Sequence, residues 1–96
     1  MKIRIGCIGL GTIASCVHLP QVRACKDFEL MEICDIDRER LTSIGEEYGI
    51  PTNRRYTDYH ELLACKDVDA IDICTPNDSH FEIALKAAQA GKAFSL

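Results

Sequence analysis

Apolar and polar positions alternate at the start of the chain, in Ile3-Arg4-Ile5-Gly6-Cys7-Ile8, and branched side chains dominate the apolar set. A period of two with β-branched residues predicts a strand. Gly9-Leu10-Gly11 ends it, and a helical pattern begins near Thr12. Pro20 interrupts that pattern. Lacking an N–H, it either kinks the helix or opens a second short one at the first helical position. The run Phe28–Cys34 predicts a second strand, closed by Asp35-Ile36-Asp37. Asp37 is placed to cap a helix carrying Leu41, Ile44 and Tyr48, with Gly49 as its stop. A short strand is expected over 52–56. Asp58 with Glu61, and later Ser79 with Glu82, have the three-residue spacing of a capping box, so each predicts a helix start. Between them, Ala70-Ile71-Asp72-Ile73-Cys74 predicts a strand that ends at Thr75-Pro76-Asn77. The last helix is expected to stop at Gly91, and Ala93-Phe94-Ser95-Leu96 to begin a fifth strand.

Strand and helix therefore alternate throughout, without repeats, linkers or low-complexity segments. Such alternation implies an α/β fold: a doubly wound parallel sheet with right-handed crossovers and helices on both faces. The expected strand order is 3-2-1-4-5, with a ligand crevice between strands 1 and 4, where the order reverses.

Composition narrows the function classes. At 96 residues the chain holds one domain. Its net charge of -4 comes without a basic stripe, which argues against nucleic-acid binding. No apolar run is long enough to span a membrane, and the N-terminal stretch breaks too early for a signal peptide. A cytoplasmic location is expected. Six cysteines stand at positions 7, 16, 25, 34, 65 and 74. Zinc ligands usually come in pairs about two to four residues apart, whereas the nearest cysteines here are nine apart. No metal site is expected, and the thiols are read as reduced, mostly as core filling.

Candidate chemistry starts at Gly9-Leu10-Gly11-Thr12-Ile13-Ala14, a match to G-x-G-x-x-[GA]. Gly9 suits the tight turn, Gly11 a close approach of pyrophosphate to the backbone, and Ala14 close packing of helix on strand. Free amides at the helix start, around Thr12 and Ile13, would face the phosphates. The motif is weak alone, but here it follows a strand, opens a helix and is followed by an acid at the end of strand 2. That acid is Asp35, suited to the adenosine ribose and unfavourable to a 2′-phosphate, which favours NAD over NADP. Asp37 competes for this role but is read as the helix cap. Arg38 could receive a 2′-phosphate and is read instead as a solvated first-turn residue.

Thr75-Pro76-Asn77 followed by His80 is more discriminating, because it ends the strand expected beside strand 1. Together with 5–14, Cys34-Asp35-Ile36-Asp37, Tyr56-Thr57-Asp58-Tyr59, Glu61-Leu62-Leu63 and 69–80, it makes the chain resemble the Gfo/Idh/MocA oxidoreductases. These include glucose–fructose oxidoreductase and inositol dehydrogenase. The resemblance implies a nicotinamide dinucleotide partner and a sugar- or cyclitol-like polyol substrate. It implies that Gly9 and Gly11 face the pyrophosphate and Asp35 the ribose. Thr75, Pro76 and Asn77 would lie along the nicotinamide-side ribose, with His80 nearby.

The resemblance further implies a Glu-Lys-Pro motif with a catalytic lysine, and a second domain that contacts substrate. Neither lies within these residues, so the chain is expected to be the partial, N-terminal dinucleotide-binding domain of a larger enzyme open to oligomerisation, inactive alone and with no catalytic residue of its own. Lys92 precedes the strand and does not take the lysine's place. Two rivals stand beside this reading: a non-catalytic NAD(P)-sensing protein of the same fold, and a domain for S-adenosylmethionine. Asp72, within an apolar strand, needs a partner or partial solvation. His18 is read as a helix-end residue with a substrate-side role left open.

Overall fold

The structure, a computed structural model, describes residues 2–95, apart from the side chain of Asn77. Five parallel strands form one sheet in the order β3-β2-β1-β4-β5. They are β1 (Ile3–Ile8), β2 (Phe28–Cys34), β3 (Arg55–Tyr56), β4 (Ala70–Ile73) and β5 (Ala93–Ser95). The helices are α1 (Leu19–Ala24), α2 (Arg38–Tyr48), α3 (Tyr59–Leu63) and α4 (Asn77–Gln89). The expected sheet order is present, and a fifth strand runs over Ala93–Ser95; Leu96, expected to continue it, lies outside the described residues.

Side-chain alternation divides the core between the two sheet faces. Cys7 and Ile33 join Leu10, Ala14, Leu19, Leu41, Ile44 and Ile50 on one side. Their chain neighbours Ile8 and Cys34 join Leu62, Leu63, Ile71, Ile73 and Ile83 on the other. Strands buried on both faces lose their polar positions, as β1 does from Ile5 to Ile8. Glu32 breaks the rule. It is fully buried in β2, where one oxygen accepts from Arg54 Nη1 at 2.8 Å and the other, Oε2, has no partner. Arg54 also reaches Asp67 at 3.0 Å, so a single guanidinium serves a buried and an exposed carboxylate.

The helix that starts at Thr12 is not interrupted at Pro20 by a simple kink. A π-helical turn spans Ala14–His18, and the Leu19 amide donates to the Ala14 carbonyl five residues back. Pro20 then stands in the first turn of α1, directly after the π-helical turn, and has no N–H to give to the preceding carbonyls. Asp37 caps α2 by accepting from the amides of Glu39 (3.0 Å) and Arg40 (3.2 Å). Gly49 closes it in the left-handed conformation at φ 68°.

The two capping boxes turn out differently. Asp58 does cap α3, accepting from the His60 amide at 2.9 Å, and the ring of His60 rather than Glu61 completes the arrangement at 2.8 Å. Ser79 caps nothing. Helix α4 begins two residues earlier, at Asn77 behind Pro76, and the Ser79 hydroxyl donates back to the Pro76 carbonyl at 3.0 Å. Glu82 accepts instead from the Tyr59 hydroxyl at 2.9 Å. The fixed φ of Pro76 sets the entry into the helix, and no side-chain cap hydrogen bond is formed there.

Candidate functional site

The strand order reverses between β1 and β4, and a crevice of about 720 Å³ opens at their C-terminal ends. Gly9, Leu10, Gly11, Thr12 and Ile13 form its floor, Asp35, Ile36 and Arg40 one end, and Thr75 and Pro76 the other. Three loops far apart in sequence thus meet at one opening.

Gly9 is required by geometry. Its φ is 92°, and a Cβ there would lie 2.9 Å from the carbonyl carbon of Cys74 and 3.0 Å from Thr75 Cγ2. The turn can approach the end of β4 only without a side chain. Gly11 is different. A Cβ there would meet nothing closer than Arg40 Nη1 at 3.9 Å, so its missing side chain leaves open space rather than relieving a clash. Ala14 is fully buried against the sheet. The Gly9 amide donates to the Cys34 carbonyl at 2.9 Å and the Leu10 amide to Asp35 Oδ2 at 2.8 Å, which ties the glycine turn to the end of β2.

Asp35 is buried, and its Oδ1 accepts from the Asp37 amide at 2.8 Å. Each carboxylate oxygen carries two lone pairs, so both retain acceptor capacity toward the crevice. Arg40 Nη1 lies 3.5 Å from Asp35 Oδ2. Arg38 is directed elsewhere, to a shallow surface with Glu39, Thr42, Ser43 and Glu46. The cation beside the acid is therefore Arg40 and not Arg38. The helical repeat accounts for this: Arg38 and Arg40, two residues apart, project in different directions.

At the other end, Thr75 Oγ1 is buried and has no hydrogen-bond partner. A buried hydroxyl without a partner is rare in a folded protein, and this one belongs to a residue that lines the crevice. The side chain of Asn77 falls outside the described residues. His80 stands in the first turn of α4 but is not among the crevice-lining residues, and its Nε2 is buried without a partner. Thr57 and Tyr59 line the crevice as well, which sequence spacing did not signal.

Burial, with the Asp35 charge second, pushes the Cys34 thiol up to about 12, so it remains protonated. Asp72 has the partner it needs: His18 Nδ1 lies 2.7 Å from its Oδ2, which joins the π-helical turn to β4. Lys92 Nζ is occupied by the carbonyls of Cys65 (2.6 Å) and Val68 (3.0 Å), a structural role away from the crevice. Among the described residues, no helix is long and apolar enough to cross a membrane.

Comparison with known proteins agrees with this geometry. Residues 3–95 match the Gfo/Idh/MocA oxidoreductases, NAD-binding Rossmann fold. Over 90 residues, the sequence is 34% identical to a myo-inositol 2-dehydrogenase of Thermotoga maritima, covering 94% of this chain and 26% of that protein. The WlbA dehydrogenase of Bordetella pertussis, solved with NADH and UDP-GlcNAcA, superposes with a TM-score of 0.88 at 32% identity, over 98% of this chain and 28% of the other. A 3-ketoreductase of Actinomadura kijaniata, solved with NADP and TDP-benzene, gives 0.89 at 31% identity, over 98% and 28%. The chain spans about a quarter of the length of the curated relatives it matches.

Proposed function

The chain belongs to the Gfo/Idh/MocA oxidoreductase family, and on that footing we propose that it holds NAD for a dehydrogenase acting on a sugar- or cyclitol-like polyol. The observation that carries the reading is the crevice at the strand-order reversal, with a side-chain-free turn, an acid and an unpartnered hydroxyl around it. The amides around Gly11, Thr12 and Ile13 would receive the pyrophosphate, helped by the positive end of the helix. Asp35 would accept from the adenosine ribose hydroxyls. Thr75 Oγ1, Pro76 and Asn77 would lie along the nicotinamide-side ribose, with His80 behind them in α4. The bound nicotinamide supplies the hydride acceptor, and the chain's own residues orient it. A substrate-binding part and a proton-transfer group would come from beyond these residues. A cytoplasmic setting suits the six free thiols.

NAD is favoured over NADP because the carboxylate of Asp35 would meet a 2′-phosphate with like charge. Arg40 opposes this preference, but it is exposed and 3.5 Å from Asp35, so the acid offsets its charge locally. Calorimetric titration with NAD and NADP tests the assignment. The unaltered protein should prefer NAD. Asp35→Ala should weaken NAD binding by about 1.5–3 kcal/mol, as loss of hydrogen bonds to a charged group does. It also strips the Leu10 amide of its acceptor, so the NAD-to-NADP affinity ratio is the decisive readout. That ratio should fall; an unchanged ratio, or a native preference for NADP, overturns the proposal.

A further inference from the structure

The linear spacing of the cysteines hides a cluster that the fold assembles. Cys7 on β1 is the register partner of Asp72 on β4, and Cys74 follows just past the strand end. All three side chains leave the same face of the sheet, the one covered by the helix that starts at Thr12. One ligand atom from each, the two Sγ atoms and a carboxylate oxygen, lies within 4.8 Å of the others. Cys74 Sγ is 3.6 Å from Asp72 Oδ1. For a tetrahedral zinc ion, bonds of about 2.3 Å to sulfur and about 2.0 Å to oxygen separate those two ligands by roughly 3.5 Å.

We propose that Cys7, Cys74 and Asp72 form a binding site for a thiolate-preferring divalent ion of the zinc type. Two thiolates and a carboxylate suit such an ion and disfavour magnesium or calcium. His18 positions the carboxylate: its Nδ1 lies 2.7 Å from Asp72 Oδ2, the oxygen turned away from Cys74. A histidine–carboxylate contact of this kind orients a ligand and tunes its basicity. A fourth position is left for water. Cys74 lines the crevice, which gives the ion an entry path although Cys7 is almost fully buried. Each metal–sulfur bond replaces an S–H bond, so two protons pass to the buffer as the ion enters. The Cys7 thiol also gives up its contact to the Gly9 carbonyl at 3.6 Å. An ion there would fasten β1 to β4 directly beneath the glycine turn.

Titration of the reduced chain with Co²⁺, without thiol reagents, tests the site. One equivalent should produce thiolate-to-cobalt charge transfer and the strong visible absorption of tetrahedral cobalt, and Zn²⁺ should abolish both. Cys74→Ser should remove the charge-transfer signal, whereas Cys25→Ser should keep it. His18→Ala should weaken affinity by about 10–100-fold, as loss of a ligand-orienting partner does. A measurement on the unaltered chain guards against misfolded variants: Zn²⁺ should slow alkylation of Cys7 and Cys74, read by mass spectrometry, and leave Cys16 and Cys25 unaffected. Absence of charge transfer from the folded chain, or equal protection of all cysteines, overturns the proposal.

Discussion

Gly9 and Gly11 belong to the same motif but fail for different reasons when given a side chain. At Gly9 the methyl group of alanine would press on the backbone of Cys74 at 2.9 Å and would force an L-residue to φ 92°. Backbone in such a region costs on the order of 1–3 kcal/mol before the clash is counted. Gly9→Ala should therefore lower the urea midpoint of unfolding markedly, whether or not nucleotide is present. Gly11→Ala faces open space, so its unfolding free energy should stay within about 0.5–1 kcal/mol of the parent. Its defect should appear in calorimetry as weakened NAD binding, because the new methyl enters the volume assigned to pyrophosphate. If both variants lose stability alike, the division of labour between the two glycines is wrong. The residue types at the site were visible in the sequence, as was the acid at Asp35. The Arg40 neighbour and the His18–Asp72 pair were not, since the latter joins positions 54 apart and exists only once β4 lies under the first helix.

Among the elements, those bounded by local chemistry were the readable ones. Strand β1 follows from its alternation of branched apolar residues, β2 and β4 from short, mostly apolar runs, and α2 from Asp37 and Gly49 at its ends. The start of α4 was misread because a serine and a glutamate at the right spacing imitate a capping box while Pro76 sets the true boundary. The π-helical turn at Ala14–His18 was also unreadable in detail. A proline announces that a helix must adjust, but neighbouring packing chooses how. Helix α2 offers a direct test of the local account. Asp37→Ala removes the acceptor for two amides and should cost about 0.5–2 kcal/mol in chemical denaturation. It should leave the relative affinities for NAD and NADP unchanged, because the ribose role is assigned to Asp35. A changed preference would return Asp37 to candidacy.

At the scale of the whole molecule, apolar surface remains exposed at the β5 edge and on α4. Strand β5 is an edge strand with all three residues exposed, Phe94 among them, and Phe81 and Leu85 share an exposed face of α4. Open edges and apolar faces promote association. The 96-residue chain alone should self-associate as its concentration rises, measurable by sedimentation velocity, and Phe81→Ser with Leu85→Ser should reduce that tendency. A monodisperse monomer across the range would refute it. The fold class was legible because alternation of strand and helix leaves few topologies, whereas the crevice had to be assembled from loops that only the fold unites. One of those loops behaves unlike a loop. The Leu10 amide is fixed to a buried carboxylate and the Gly9 amide to a strand carbonyl. Amide protons in surface turns commonly exchange with solvent through local opening, but the Gly9 amide is released by parting the end of β1 from β2, and the Leu10 amide by that or by turning a buried carboxylate. Their deuterium uptake should be as slow as that of the central strands. A turn so held has already surrendered its freedom before any ligand arrives, and binding there need not order it again.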